Sequence, residues 1–271
     1  MNQEEVRLLQ ERARTVRADI LTMLNAAKSG HSAGPLGMTD IFTVLYNKVL
    51  KHNPKKPLDK SRDYVFLSNG HICPVLYATL ADQGYFEKKE LHTLRKLGSR
   101  LQGHPHLGAL PGIENSGGPL GQGASMSCGA ALGLLREKKK NTVYCFLGDG
   151  ELDEGQCWEA AMFANQEQLK NLIWIIDYNN IQIDGFTNNV MTHNDLAKKF
   201  ESFGWATIRV SGHDMQDIYE AFIRAKDINR PTVIIAYTIP GRGVSFMEDD
   251  YRWHGKAPNN EELEEALKEL A

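Results

Sequence analysis

Val143–Gly150 reads VYCFLGDG, and Leu172–Asn180 reads LIWIIDYNN. Each is a short apolar run, rich in β-branched and aromatic residues, that stops at Gly, Asp or Asn. Runs that are apolar at nearly every position, rather than at alternate ones, suit strands of a parallel sheet covered on both faces. In such sheets ligands collect beyond the carboxyl ends of the strands, where the next helix offers unpaired N–H groups to an anion. Asp149 and Asn179 lie thirty residues apart, each at the exit of its strand. If the two strands are neighbours, a carboxylate and an amide oxygen converge. With a main-chain carbonyl they form an incomplete oxygen shell, of the kind Mg²⁺ accepts when diphosphate oxygens and water complete the octahedron. Taken singly, Gly-Asp-Gly is ordinary turn chemistry and Asn-Asn an ordinary Asx-turn. Together, on successive strands, they point to a metal–diphosphate site.

Outward from this pair, three further segments read as strands: Tyr64–Leu67, Ala206–Val210 and Thr232–Tyr237. The material between them has helical length and patterning, and helices are expected at Gln3–Lys28, Thr39–Leu50, Pro74–Gln83, Lys88–Leu97, Gly121–Glu137, Cys157–Gln168 and Asp214–Ala225. The expected fold class is therefore α/β, with a mostly parallel central sheet and helices on both faces. No repeat or Pro/Ser-rich linker divides the chain, so residues 1–258 are expected to form one domain. Residues 259–271, an acidic helical pattern with Leu263, Ala266, Leu267 and Leu270 on one side, are expected to pack on it. The run from Arg100 to Gly123 is too rich in Gly and Pro for a regular element, and its histidines favour a functional loop.

The chain has 271 residues, with 31 Lys+Arg against 34 Asp+Glu. That balance argues against a nucleic-acid or anionic-membrane footprint, which needs clustered positive charge. No apolar run reaches the ~18 residues of a membrane span. The amino terminus, acidic as well as basic, resembles neither a secretory nor a transit peptide. Cys73, Cys128, Cys145 and Cys157 show no C-x-x-C spacing and are expected to be reduced, with a cytoplasmic location as the default.

Gly148-Asp149-Gly150 followed by Asn179-Asn180 resembles the motif of thiamine diphosphate enzymes. Within them the match is to the transketolase family: SGHSAGPLG (29–37), LSNGH (67–71), GHPH (103–106), GPLGQG (118–123), GDGELDEG (148–155), NNIQIDG (179–185) and WHGKAP (253–258), in family order. Two departures are visible: His31-Ser32-Ala33-Gly34-Pro35 stands where the family usually has His-Pro-Gly-Ala-Pro, and the stretch between GPLGQG and GDG is short.

The resemblance implies thiamine diphosphate and Mg²⁺ as cofactors, with Ca²⁺ or Mn²⁺ as substitutes, and ketol transfer between a ketose and an aldose, typically sugar phosphates. By it, Asp149, Asn179 and the carbonyl of Ile181 are metal ligands. His71, Gly118, Pro119, Leu120, Gly150, Asn179 and His254 approach the cofactor. His31, His104 and His254 face substrate hydroxyls, and Glu154 belongs to a carboxylate network between domains. Imidazoles suit such proton chemistry near neutral pH. His106 is ambiguous, while His52, His92, His193 and His213 are expected to be structural. The family's pyrimidine-binding and carboxy-terminal domains have no counterpart here. The resemblance therefore implies the N-terminal subunit of a split transketolase, which would join a chain carrying the pyrimidine-binding domain in an α₂β₂ heterotetramer.

Three rivals share parts of this pattern. A 2-oxo acid dehydrogenase α subunit has the same domain, but four histidines suit polyol substrates better. A deoxyxylulose-phosphate synthase shares the cofactor motif, yet SGHSAGPLG and GHPH favour transketolase. A catalytically silent regulatory subunit would be expected to have lost Asp149, Asn179 or the histidines, and all are present. A dinucleotide binder would need a strand-linked G-x-G-x-x-G, which is absent.

Overall fold

A computed structural model describes residues 1–271. In chain order the helices and strands are α1 (Gln3–Ala27), α2 (Ala33–Val44), β1 (Tyr64–Leu67), α3 (Cys73–Asp82), α4 (Gln122–Arg136), β2 (Val143–Gly148), α5 (Gly155–Gln166), β3 (Leu172–Tyr178), β4 (Ile181–Gln182), β5 (Gly185–Phe186), α6 (Thr187–Val190), α7 (Leu196–Ser202), β6 (Ala206–Ser211), α8 (Met215–Asp227), β7 (Thr232–Tyr237) and α9 (Asn260–Leu270). Five strands form one parallel sheet in the order β1-β2-β3-β7-β6, and β4 and β5 form a small antiparallel hairpin.

The apolar strands are buried on both sides. Tyr144, Phe146, Ile173 and Ile175 belong to one hydrophobic cluster, while Val143, Cys145, Leu147, Leu172, Trp174 and Ile176 belong to the other. Successive side chains thus enter opposite layers, as the pleat requires. Each fully buried Ile or Leu contributes about 1.5–3 kcal/mol relative to exposure. The first layer includes α1, whose Leu9, Ala13, Val16, Ile20 and Leu24 recur at helical spacing. Asn2 and Glu5 start that helix with a reciprocal capping box.

The sheet matches expectation, and some helices do not. α2 begins at Ala33, six residues before the expected Thr39, and its last turn widens into a π-helical turn over Leu45–Val49. Pro35 sits in its first turn, where a missing N–H costs nothing. The expected helix at Lys88–Leu97 is only a 3₁₀ segment over Lys88–Thr93, followed by left-handed turns at Arg95 and Gly98. The hairpin, α6 and α7 were not expected. Asn259 and Glu262 cap α9, which packs on α1 and places Ala266 and Leu270 in the larger cluster. No helix is long and apolar enough to cross a membrane. All four cysteines are buried and unpaired.

Candidate active site

Because the sheet is parallel, the exits of β1, β2, β3 and β7 share one edge. Gly148 stands opposite Asp177 in the ladder, so β2 and β3 are neighbours and the turns that follow them are adjacent. A cleft of about 440 Å³ opens at this edge, lined by residues that include Asp149, Asn179, Ile181, His31, His71, His104 and His254. Its lining combines the acids Asp149, Glu151, Asp177 and Asp184 with four imidazoles.

Asp149 is 2% exposed. Its Oδ1 accepts from the Gly150 N–H at 2.8 Å and its Oδ2 from the Asn180 N–H at 2.7 Å. The first bond tightens the β2 turn and the second ties it to the β3 turn. Asn179 donates through Nδ2 to Asp177 Oδ2 at 2.8 Å and accepts through Oδ1 from the Ile181 N–H at 3.0 Å. Asp177 also accepts from the Thr238 hydroxyl. Burial, and then the neighbouring Asp177 carboxylate, pushes Asp149 up to about 7, and burial likewise pushes Asp177 up to about 7. Two buried carboxyls that resist ionising together make a place where a cation is stabilising.

The imidazoles of His31, His71 and His254 form a triangle, with ring centroids 5.0, 5.5 and 5.1 Å apart. Ser32, where the family usually has Pro, donates its hydroxyl to the Lys256 carbonyl at 2.6 Å and ties the His31 segment to the His254 segment. Burial lowers the pKa of His31, His71, His104 and His254 alike. His31 is pushed down to about 4, first by burial and then by the charges of His254, Arg95 and His104. An unfolded His titrates near 6.5. The unfolded chain therefore takes up this proton first as pH falls, so the stability tied to neutral His31 is complete above pH ~6.5 and is lost towards pH ~4. His31→Gln is expected to lose less melting temperature than wild type between pH 6.5 and 5. Equal losses in the two proteins would remove His31 as the cause.

Several polar atoms here have no partner. Asn69 is fully buried with neither Nδ2 nor Oδ1 hydrogen-bonded, and His31 Nδ1 is likewise unsatisfied. Both residues line the cleft. Buried groups of this kind are normally paired, and such unmet hydrogen bonds suit a polar ligand. No group of three His, Cys, Asp or Glu is arranged to hold a metal ion unaided. Asp149, Asn179 and Ile181 bring one carboxylate, one amide and one main-chain carbonyl to the cleft lining, an oxygen set that a diphosphate could complete.

The family model for the thiamine diphosphate-binding domain of transketolase matches residues 9–271. The chain belongs to the transketolase family. It is 36% identical to one of the named subunits of the apulose-4-phosphate transketolase of Phocaeicola vulgatus, over 98% of this chain and 95% of that one. It is 38% identical to a 6-deoxy-6-sulfo-D-fructose transketolase subunit of a Clostridium species, over 97% of this chain and 96% of the relative. Human transketolase is 36% identical over 99% of this chain, which spans only 43% of it. The crystal structure of the Campylobacter jejuni transketolase superposes with a TM-score of 0.93 at 34% identity, over all of this chain and 43% of the other.

Of the residues singled out by the transketolase resemblance, Gly118, Leu120 and Gly150 also line the cleft. Pro119 is exposed beside it, and Glu154 is exposed at the cap of α5. His106 is exposed and reaches Ser116 at 3.5 Å, outside the cleft lining. His52 and His213 are held by structural partners, Tyr85 with the Tyr46 carbonyl and Asp40 with the Ile239 N–H. His193, expected to be structural, has a bearing on the site: its Nε2 contacts the Asp149 carbonyl at 2.7 Å and so braces the Gly-Asp-Gly turn. Asn69, Glu151 and Asp177 line the cleft without having been singled out by sequence reasoning. A signal existed for Asp177, the one charge in an otherwise apolar strand, and for Asn69, which lies within LSNGH.

Proposed function

We propose that this chain is the diphosphate-binding subunit of a two-chain transketolase, which with its partner moves a two-carbon ketol unit from a ketose phosphate to an aldose phosphate. The observation that carries this reading is the convergence, in one cleft, of the Asp149–Asn179 oxygen pair with a triangle of neutral histidines. Asp149, the Asn179 amide and the Ile181 carbonyl would hold Mg²⁺, with Ca²⁺ or Mn²⁺ able to replace it. His71, His254, Gly118, Pro119, Leu120, Gly150 and Asn179 would hold thiamine diphosphate. When bound, that cofactor supplies the electron sink that permits a carbon–carbon bond beside a carbonyl to break and re-form.

The chain's own residues bind, orient and manage protons. His31, His104 and His254 would exchange protons with sugar hydroxyls, and their lowered pKa keeps them neutral and able to accept at pH 7. Asn69 offers an unsatisfied donor and acceptor to the ligand. Glu154 is exposed at the start of α5 and would meet carboxylates of the partner chain. Two relatives that are themselves named as transketolase subunits match this chain over nearly their whole length, which supports a second, partner chain; two copies of each chain would make the α₂β₂ assembly. The four unpaired cysteines support a reducing, cytoplasmic setting.

The test is made on the assembled enzyme. His104→Ala and His254→Ala are expected to lose roughly 10²–10⁴ in ketol-transfer rate, the usual cost of removing a proton-transfer group, while keeping their melting temperatures. A variant that keeps full rate, or whose loss follows from unfolding, returns that histidine to the structural class.

A further inference from the structure

Glu151 has no ligand role in the reading above, yet it is the most connected acid in the cleft. It lies in the 3₁₀ turn Gly150–Asp153 and is 3% exposed. Its Oε1 accepts from the Ser68 hydroxyl and from the Gly121 N–H at 2.7 Å, and its Oε2 accepts from the Gly148 N–H at 3.1 Å. The three donors come from three different cofactor segments. Ser68 follows β1 in LSNGH, Gly121 closes the loop before α4, and Gly148 opens the Gly-Asp-Gly turn.

We propose that Glu151 is a positioning residue that fastens these three turns together before any ligand arrives. The proposal rests on the thiamine diphosphate reading of the cleft. Gly121, at φ 79°, is the cap of α4, and no side chain of its own caps that helix. Its buried N–H therefore depends on Glu151, since a buried donor left unpaired is costly. α4 is pressed against the end of β1 so closely that a Cβ at Gly123 would stand 2.6 Å from Ser68 Cα. The Glu151 carboxylate bridges the rim of that contact to the β2 turn. All three partners present a donor, a demand that a carboxylate meets with both oxygens and an amide cannot. A Gln would set its NH₂ against at least one N–H or O–H. Loops held in their bound arrangement bind a ligand without paying its ordering entropy, so the effect should fall on cofactor affinity.

The test compares wild type, Glu151→Gln, Ser68→Ala and a distant core variant, Ile20→Val, each assembled with the partner chain. Two quantities are read: calorimetric affinity for thiamine diphosphate with Mg²⁺, and amide hydrogen exchange at Gly121 and Gly148 in the cofactor-free protein. Glu151→Gln is expected to bind at least tenfold more weakly, with faster exchange at both glycines. Ser68→Ala should show a smaller loss of the same kind, and Ile20→Val none. Affinity within twofold of wild type in Glu151→Gln, or unchanged exchange at both glycines, overturns the proposal. If Glu151→Gln does not fold, Ser68→Ala decides, because it removes one of the three bonds and leaves the acid in place. A wild-type assembly that binds no thiamine diphosphate overturns the cofactor reading and this inference with it.

Discussion

Asp149→Ala is expected to weaken thiamine diphosphate binding to the assembled enzyme by on the order of a hundredfold or more, and to abolish its dependence on a divalent metal. Groups that merely support metal ligands are worth about 10–100-fold, and Asp149 is assigned as a ligand itself. The Gly150 and Asn180 amides fix both carboxylate oxygens while leaving lone pairs for a cation. Asp149→Ala also leaves the Gly150 and Asn180 N–H groups without an acceptor, so the melting temperature is read beside the affinity, and a variant that stays folded isolates the loss of the ligand. Asp149→Asn separates charge from shape, since it keeps the size and removes the charge. Calorimetric titration with and without Mg²⁺ reads the outcome, and unchanged affinity with unchanged metal dependence would withdraw the site assignment.

The second large effect concerns the partner. The 271-residue chain, supplied with Mg²⁺ and thiamine diphosphate, is expected to show ketol transfer lower by a factor on the order of 10³ or more than the same chain mixed with one carrying the pyrimidine-binding domain. The resemblance places the acid that activates the aminopyrimidine on that other domain, and removing such a group typically costs ~10²–10⁴. The surface beside the cleft is prepared for company. Ile183 is 69% exposed and Met191 57%, with Val190 and Phe186 also open to solvent. Apolar side chains gathered near a polar cleft mark an interaction surface more often than a solvated one. Two copies of each chain would close the assembly with two-fold symmetry. Robust activity from the isolated chain would sink this reading.

The sheet was legible because its strands are apolar on both faces, so composition alone marks them, and their ends fall within a residue or two of expectation. Helix boundaries were less so. The helix expected from Thr39 starts at Ala33 and so contains Pro35 and Gly37: Pro35 needs no donor in the first turn, and Gly37 leaves room for the Ile239 carbonyl, which a Cβ there would approach to 2.9 Å. The hairpin after β3 was invisible because two-residue strands carry no period. In the site, the motif residues were legible as turn chemistry at strand exits. Asn69 was within reach through its place in LSNGH, whereas Glu151 and His193 were not, because their importance lies in what they touch: three turns and the Asp149 carbonyl. Apart from the Gly148 bond, these contacts join residues thirty or more positions apart and leave no trace in local spacing.

The strand order also constrains how the chain can be made. β7 is the last strand to be synthesised, yet it lies between β3 and β6. As the polypeptide leaves the ribosome, β1, β2 and β3 can pair with one another, but β6 has no neighbour and β3 keeps an open edge until Thr232–Tyr237 emerges. Long-range parallel pairing is intrinsically slow, and an unpaired apolar edge invites aggregation. The time between the emergence of β3 and that of β7 is thus the interval in which the nascent chain is most exposed to misassociation, and the interval in which a chaperone has most to protect.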